Sequence, residues 1–457
     1  MRKILLISYV YPPVNNAGAH RIAGFTRHLP GCGYQPVVLT VRNTHYSDFD
    51  AELLDDLPND LLLHRTFAFD YFNFLRWLRG APKAGAGPSA EDLKAGESNL
   101  SLSRRGFRFI NDLVLQYVLV PDVEIGWTPT ALLRGRKICR EEGIDAILTS
   151  SPPDSVHLIG LGLKKWLGLP WIADFRDQWT TNVLHREKYR RRIIYRIHQR
   201  LERAVLRRAD AILANSETNG AVLKQTYPDL CPTKIQVVPN GFEGEPARHL
   251  EPASAEGPLR LQFSGMAYAT MLDPLWEALE LLHRRTPGVA SQIEVQIVGW
   301  LDGEQLKQLE LRGLGDRVKY EGAVSRKQSV ERMLGCDVLL YAVPGEAACR
   351  GWIPSKLYSY LASGRPVLAL APQGDAAEIV LQCRAGWVES PSDPAAVASR
   401  LERLLELKRA GRLRVERDLN WIGRYRRKDL AASLARIVDA LLGAAGGEAE
   451  SPPPAHS

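Results

Sequence analysis

The sequence predicts an α/β protein made of two doubly wound sheets joined by a linker. Three observations carry this. Short apolar runs such as Ile4–Ser8, Val338–Tyr341 and Val367–Leu370 recur along the chain, as strands covered on both faces require. Helical patterns separate them, which is the alternation of βαβ units. The alternation stops at Glu243–Pro258, rich in Glu, Pro, Ala and Gly, and then starts again. At 457 residues the chain also exceeds what one core usually supports.

In the first half, the strand Ile4–Ser8 leads through the loop Tyr9–Gly18 to a helix over about 19–29. The strand Pro36–Val41 follows, and Asn15–Gly18 lies where doubly wound sheets bind ligands. There is no G-x-G-x-x-G, and the second strand ends in Thr40-Val41-Arg42 with no acid to hold a ribose, so a nicotinamide reading is weak. Asp48 and Asp50 mimic a metal-holding acidic pair, but Glu52, Asp55 and Asp56 around them read as a solvated acidic loop. Residues 80–103 read as a mobile insertion rich in Gly, Ala and Ser, flanked by apolar segments at 67–77 and 107–120.

A strand at Ile144–Thr149 ends in Ser150-Ser151-Pro152-Pro153. A helix over 156–167 and a strand at Pro170–Ala173 lead to Asp174-Phe175-Arg176-Asp177-Gln178-Trp179. Carboxylates, a guanidinium and an indole directly after a strand favour function over decoration, the competing reading being an Arg–Asp pair bracing the loop. From Arg186 to Arg208 ten Lys or Arg residues accompany an apolar stripe near helical spacing. Such a helix suits an anionic membrane or an anionic substrate, or simply solvates its charges. No nucleic-acid motif accompanies it, so nucleic acid is not expected as a partner. Strands at 211–216 and 235–242 close this half.

The second half predicts strands at 259–263, 293–298, 318–320, 338–341 and 367–370, with a helix over 273–285. Its most informative stretch is Gly351-Trp352-Ile353-Pro354-Ser355-Lys356-Leu357-Tyr358-Ser359-Tyr360-Leu361-Ala362-Ser363-Gly364-Arg365-Pro366. Pro354 and Ser355 suit a helix start, and Gly364 with Pro366 a stop. Free backbone N–H groups, a Ser hydroxyl and the Lys356 ammonium at one end are the equipment for holding a phosphate. An ordinary helix with a solvated Lys is the competing reading. The organisation expected is a domain over 1–243, a linker over 244–258, a domain over 259–419, a helix over 420–442 running back to the first domain, and a disordered tail over 443–457.

Hydrophobic content of 45% and charged content of 24% are ordinary for a soluble globular protein. Six widely spaced cysteines with no C-x-x-C pair argue for free thiols and against a zinc site or disulfide framework. The apolar run after Met1-Arg2-Lys3 is too short for a signal peptide, and no stretch of about eighteen apolar residues exists to cross a membrane. A cytoplasmic protein is expected, peripheral on the inner face of the cell membrane if the basic helix docks there.

Together these pieces resemble glycosyltransferase family 4: the N-terminal strand with its Pro-Pro…Gly-Ala-His-Arg loop, the Asp174–Trp179 turn, Val238-Pro239-Asn240-Gly241-Phe242, and Pro354-Ser355-Lys356-Leu357 through Val367. The resemblance runs over nearly the whole chain, in order and on both domains. It implies the GT-B fold, two Rossmann-like domains facing each other across a cleft. It also implies a retaining transfer from a nucleotide diphosphate sugar, with no cofactor and no catalytic metal. The donor would sit on the C-terminal domain, against Ser264, Gly265, Trp300, Ser355, Lys356 and Ser359. Gly18 would let the backbone approach phosphate or sugar. Arg176 would contact the sugar or phosphate, oriented by Asp174 or Asp177, while His20 and Arg21 face a glycan or lipid-linked acceptor. Positive groups at the leaving diphosphate should dominate catalysis.

Two departures stand out. Many members follow the first C-domain Gly with an Arg and a Lys; here Gly265 is followed by Met266-Ala267-Tyr268, so Lys356, with Arg350, is expected to take that duty. The family's ribose-gripping Glu is replaced by Ser359, and its partner Glu by Gly351. The leading expectation is a transferase of surface polysaccharide or glycolipid synthesis. A sugar-nucleotide epimerase using Asp174, Asp177 and His20 is the alternative, as is a non-catalytic partner subunit. Solvent deuterium entering a donor sugar, or failure to bind any sugar nucleotide, would favour them in turn.

Overall fold

The computed structural model describes residues 1–44, 46, 48–69, 71, 119–182, 192–248, 254–267, 270–315, 317–346 and 349–449. The insertion expected at 80–103, its apolar flanks beyond 71 and up to 118, the basic residues 186–191, part of the linker and the last eight tail residues lie outside these.

The chain divides into two compact units, one of 1–215, 219–239 and 427–457, the other of 216–218 and 240–426. In the first unit the strands are β1 (Arg2–Ser8), β2 (Tyr34–Val41), β3 (Leu62–Thr66), β4 (Ala146–Ser151), β5 (Trp171–Phe175), β6 (Ala211–Ala214) and β7 (Ile235–Val237). They form one sheet in the order β3-β2-β1-β4-β5-β6-β7, every neighbouring pair parallel. The order reverses between β1 and β4, and ligands of such sheets bind beyond the strand ends at that reversal.

Alternation along the strands divides the first core in two. Leu5, Ile7, Val37, Leu39 and Ile147 pack with Val156, Ile159 and Leu163 of the helix Val156–Leu167. Ile4, Leu6, Val38 and Leu148 pack with Ile22 and Phe25 of α1 (Ala17–His28), and with Leu430, Leu434 and Val438 of the last helix. Successive residues of a strand point to opposite faces, so a run without polar interruption is what a doubly covered sheet needs. That last helix spans Arg427–Ala449, not 420–442. Asp418 caps a separate short helix, Leu419–Gly423, by accepting from the N–H groups of Asn420 and Trp421, and the chain then turns at Tyr425. The helix also takes in residues 443–449 of the expected tail. Its apolar stripe is anchored in the first core, which extends the helix past the point where Gly and Ala accumulate.

In the second unit the strands are β8 (Leu259–Ala267), β9 (Ile293–Leu301), β10 (Val318–Gly322), β11 (Val338–Ala342), β12 (Val367–Leu370) and β13 (Gly386–Glu389). Their order is β10-β9-β8-β11-β12-β13, again all parallel, reversing between β8 and β11. One face packs Leu261, Phe263, Val295, Ile297 and Leu340 against Leu275, Leu279 and Leu282 of the helix Asp273–Arg285. The six cysteines are free thiols. No described helix is long and apolar enough to cross a membrane.

Candidate functional site

In the first unit the functional side chains gather where β1 and β4 part. Asp174 is not in a turn: β5 continues through Phe175, which buries Asp174 completely. Its carboxylate accepts from Arg21 Nε at 2.9 Å, from Arg21 Nη2 at 2.8 Å and from the Ser150 hydroxyl at 2.7 Å. Arg21, itself 5% exposed, spends its other donors on the carbonyls of Val238 and Pro239. This bidentate buried pair ties α1, β5 and the end of β7 together. A buried charge survives only when paired and hydrogen-bonded in this way. The hydrogen bonds of Asp174 thus go to Arg21 and Ser150 and not to Arg176, the partner expected for it, and Arg21, expected on the acceptor side, is buried in this pair.

Arg176 is held by carbonyls instead. Its Nε donates to Ser151 O at 2.6 Å and its Nη2 to Pro152 O at 2.8 Å. Nη1 has no hydrogen-bond acceptor among the described residues and lies over Gly18, where a Cβ would overlap the guanidinium. The absent Gly18 side chain thus makes room for Arg176, not for a ligand directly. Burial draws the Arg176 pKa down, and the carboxylates of Asp177 and Asp174 counter that pull. His20 sits half-buried beside Asn15, 3.0 Å from ring Nε2 to Oδ1. Asn16 caps α1 by accepting from Ala19 N–H, which fixes the loop before it.

Sequence reasoning missed His157, behind this corner. It is fully buried, its Nδ1 is 2.8 Å from the Thr149 hydroxyl, and its ring stacks on Phe175 at 4.3 Å. Ser150 and Ser151 were also passed over. The available signal was the hydroxyl run Thr149-Ser150-Ser151 closing an otherwise apolar strand.

In the second unit, β8 and β9 pair with each other beyond Phe263 and Val298, where their other neighbours stop, so Ser264, Gly265 and Trp300 lie in strands and not in loops. Gly265 and Gly299 face each other in register at φ +134° and +132°, and a Cβ on Gly299 would overlap the Gly265 carbonyl. Only glycine fits both positions. The helix Lys356–Ser363 meets this point with two side chains one turn apart. The Tyr360 hydroxyl accepts from Ser264 N–H at 2.8 Å, and the Lys356 stem passes 3.9 Å from where a Gly265 Cβ would stand. Tyr360 is buried and Lys356 exposed, so the tyrosine fixes the helix and leaves the ammonium at the strand end.

The other expected donor residues are less engaged. Ser355 makes no side-chain cap, and the Ser359 hydroxyl has no hydrogen-bond partner among the described residues. Trp300 is 48% exposed beside its register partner Met266, 65% exposed, an apolar pair at the strand ends. The exposed Arg350 contributes its carbonyl to Asp375 N–H, an approach that the bare Gly374 permits. Among the described residues no three of His, Cys, Asp and Glu assemble as metal ligands.

Residues 101–245 match the family model described as Glycosyltransferase Family 4, and residues 263–407 the one described as Glycosyl transferases group 1. A probable glycosyltransferase, WbjE of Pseudomonas aeruginosa, is 23% identical over 58% of the chain, which spans 66% of that relative's length. The solved lipopolysaccharide outer core galactosyltransferase WaaB resembles the structure at a TM-score of 0.59 and 13% identity, over 96% of this chain and 99% of WaaB. A variant of S. aureus TarM, solved with fondaparinux, α-GlcNAc-glycerol and UDP, does so at 0.52 and 9%, over 99% of this chain and 100% of that one. These structural likenesses show the fold. With both family blocks in chain order, one on each parallel-sheet unit, the chain belongs to glycosyltransferase family 4 and has the GT-B fold.

Proposed function

We propose that the chain transfers a sugar, with retention, from a nucleotide diphosphate sugar to a glycan or lipid-linked acceptor of surface polysaccharide or lipopolysaccharide synthesis. The second unit holds the donor and the first the acceptor. The observation that carries this is the convergence of Lys356 and Tyr360 on Gly265 and Ser264 at the strand reversal of the second unit. In the transfer, the bond from the anomeric carbon to the phosphate oxygen breaks and one to the acceptor oxygen forms. The nucleoside diphosphate leaves with growing negative charge, and its departing oxygen takes up the acceptor's hydroxyl proton, which balances the step. Lys356 is the cation placed to meet that charge, in the role that an Arg and a Lys would otherwise fill after Gly265. Arg176 Nη1 supplies a second cationic donor in the acceptor-side unit. The similar proteins include a lipopolysaccharide outer core galactosyltransferase and a TarM variant solved with fondaparinux, α-GlcNAc-glycerol and UDP, in line with this class of donor and acceptor.

Contact with an anionic membrane is the finer part of the proposal. The helix Arg192–Arg208 buries Ile194, His198, Val205 and Leu206 and exposes Arg192, Arg196, Arg200, Arg203 and Arg207 along one stripe, with Ile193 59% exposed beside it. Arg203 and Arg207 pair with Asp229, while the other three have no ion pair among the described residues. Flotation with anionic vesicles at low salt tests it, and absence of binding removes the membrane part.

The donor experiment is a thermal-shift screen against UDP-, GDP-, ADP- and dTDP-sugars, since a ligand that binds the native state raises its melting temperature. One nucleotide should stand out, and Lys356→Ala should lose most of that shift. Turnover of the identified donor unchanged in Lys356→Ala would sink the assignment, and no shift with any sugar nucleotide would favour a non-catalytic subunit.

A further inference from the structure

The first unit holds a cavity of about 230 Å³ that the donor chemistry does not use. It opens beyond the carboxyl ends of β1, β2 and β3, between the segment after β1 and the one after β2. Backbone bonds close its outer wall: Asp50 N–H donates to Pro13 O at 2.8 Å, and Val14 bridges Phe49. Tyr9, Tyr11 and Phe49 supply aromatic walls, and Arg42 and Arg65 line the same space. The volume lies below the roughly 300 Å³ at which pockets take drug-sized ligands, so it suits one sugar-sized group and not a whole sugar nucleotide.

Asn43, Thr40 and Tyr11 in the polar lining are committed to other protein groups. Both functional atoms of the Asn43 side chain bond to the Ala68 backbone, the Thr40 hydroxyl donates to Tyr9 O, and the Tyr11 hydroxyl donates to Thr26. Arg65 gives Nη1 and Nη2 to the carbonyls of Val41 and Pro12, which fix its plane but leave its charge without a counter-ion among the described residues. Arg42 is exposed and its side chain has no partner among the described residues. Among the described residues no carboxylate lines the cavity, and the neighbouring Asp48 bonds to Asn15. Two cations and no anion in one concave space raise the local concentration of negative ligands.

We infer that this cavity binds an anionic substituent of the acceptor, a phosphate or a carboxylate carried by a sugar, with Arg42 as the reading residue. This names the acceptor class within the glycosyltransferase reading and rests on it. Aromatic faces take the sugar ring, while the guanidinium forks match an oxyanion with paired N–H donors.

The test is calorimetric titration of the full chain with glucose 1-phosphate, glucuronate and glucose. At least one charged sugar should bind about tenfold or more tightly than glucose, the scale of one charge-assisted contact. Arg42→Gln should erase that preference and Arg42→Lys restore part of it. Arg65 is left intact because it also braces the backbone. Preference for glucose 1-phosphate alone assigns a phosphate, and for glucuronate alone a carboxylate. Equal binding of all three, no binding, or an unchanged preference in Arg42→Gln overturns the inference. Arg42→Gln should keep the sugar-nucleotide thermal shift of the second unit. If the wild type shows no such shift, the transferase reading fails separately, whatever this cavity does.

Discussion

The guanidinium of Arg176 occupies the space that a side chain on Gly18 would fill. The glycine in the first turn of α1 and the arginine after β5 are therefore one device. Two carbonyl bonds from Ser151 and Pro152 hold the arginine, and the bare glycine admits it.

Gly18→Ala should displace Arg176 while the fold survives, because the clash falls on the far end of a side chain and not on backbone. A misplacement of about an ångström at a reacting centre can cost on the order of a hundredfold in rate. Turnover of the donor identified by thermal shift should fall by roughly that factor, and Arg176→Ala should fall comparably. The double variant should be no worse than the worse single one, since residues sharing one contact are not additive. Full additivity would mean that the two positions act independently.

What was legible beforehand follows from how far each signal reaches along the chain. Parallel strands covered on both faces leave unbroken apolar runs, so Ile4–Ile7, Val338–Ala342 and Val367–Leu370 were readable. The edge strand Leu62–Thr66 was not, because a half-covered edge carries mixed side chains such as His64 and Arg65. The site was half legible. Lys356 beside Gly265 is a pairing of two motifs each visible locally, whereas Asp174 finds Arg21 across 153 positions and no local pattern announces that. A carboxylate and a guanidinium next to each other in sequence, Asp174 and Arg176, suggested the wrong partner. Strand pleating sends residues two apart to the same face, but β5 ends between them, and their hydrogen bonds go to different partners, Asp174 to Arg21 and Ser150, Arg176 to the carbonyls of Ser151 and Pro152.

Tyr360 and Lys356 separate stability from binding on one helix. Removing the Tyr360 hydroxyl strands the buried Ser264 N–H, which costs about 1–3 kcal/mol. Tyr360→Phe should therefore lower the melting temperature and also weaken the donor shift, because the strand end it fixes is where the donor is proposed to sit. The exposed Lys356, by contrast, should leave the melting temperature of the ligand-free protein nearly unchanged when replaced by Ala. Scanning both variants with and without the donor reads the two effects apart. A Tyr360→Phe variant as stable as the wild type would show that the N–H has found water or another acceptor.

His157 makes the first unit sensitive to acid. Burial lowers its pKa to about 3, with nearby Asp174 opposing and Arg176 reinforcing the shift. In the unfolded chain the same imidazole titrates near 6.5. Between those values the unfolded state binds a proton that the native state refuses, so stability falls as pH drops through 6.5. The slope approaches about 1.4 kcal/mol per pH unit, and the loss from pH 7 to pH 5 is about 2 kcal/mol. His157→Phe keeps the stack on Phe175, and Thr149 keeps the bond it accepts from Trp171 Nε1. The variant gives up the contact with Thr149, about 1 kcal/mol at pH 7, and also removes the Nε2 atom that lies buried without a partner. Urea unfolding followed by tryptophan fluorescence should then find the variant weaker at pH 7 and at least equal at pH 5, because only the wild type carries the proton-linked loss. Curves that stay parallel from pH 7 to pH 5 would mean that the native imidazole takes up its proton as readily as the unfolded one, and that the corner behind Asp174 admits water.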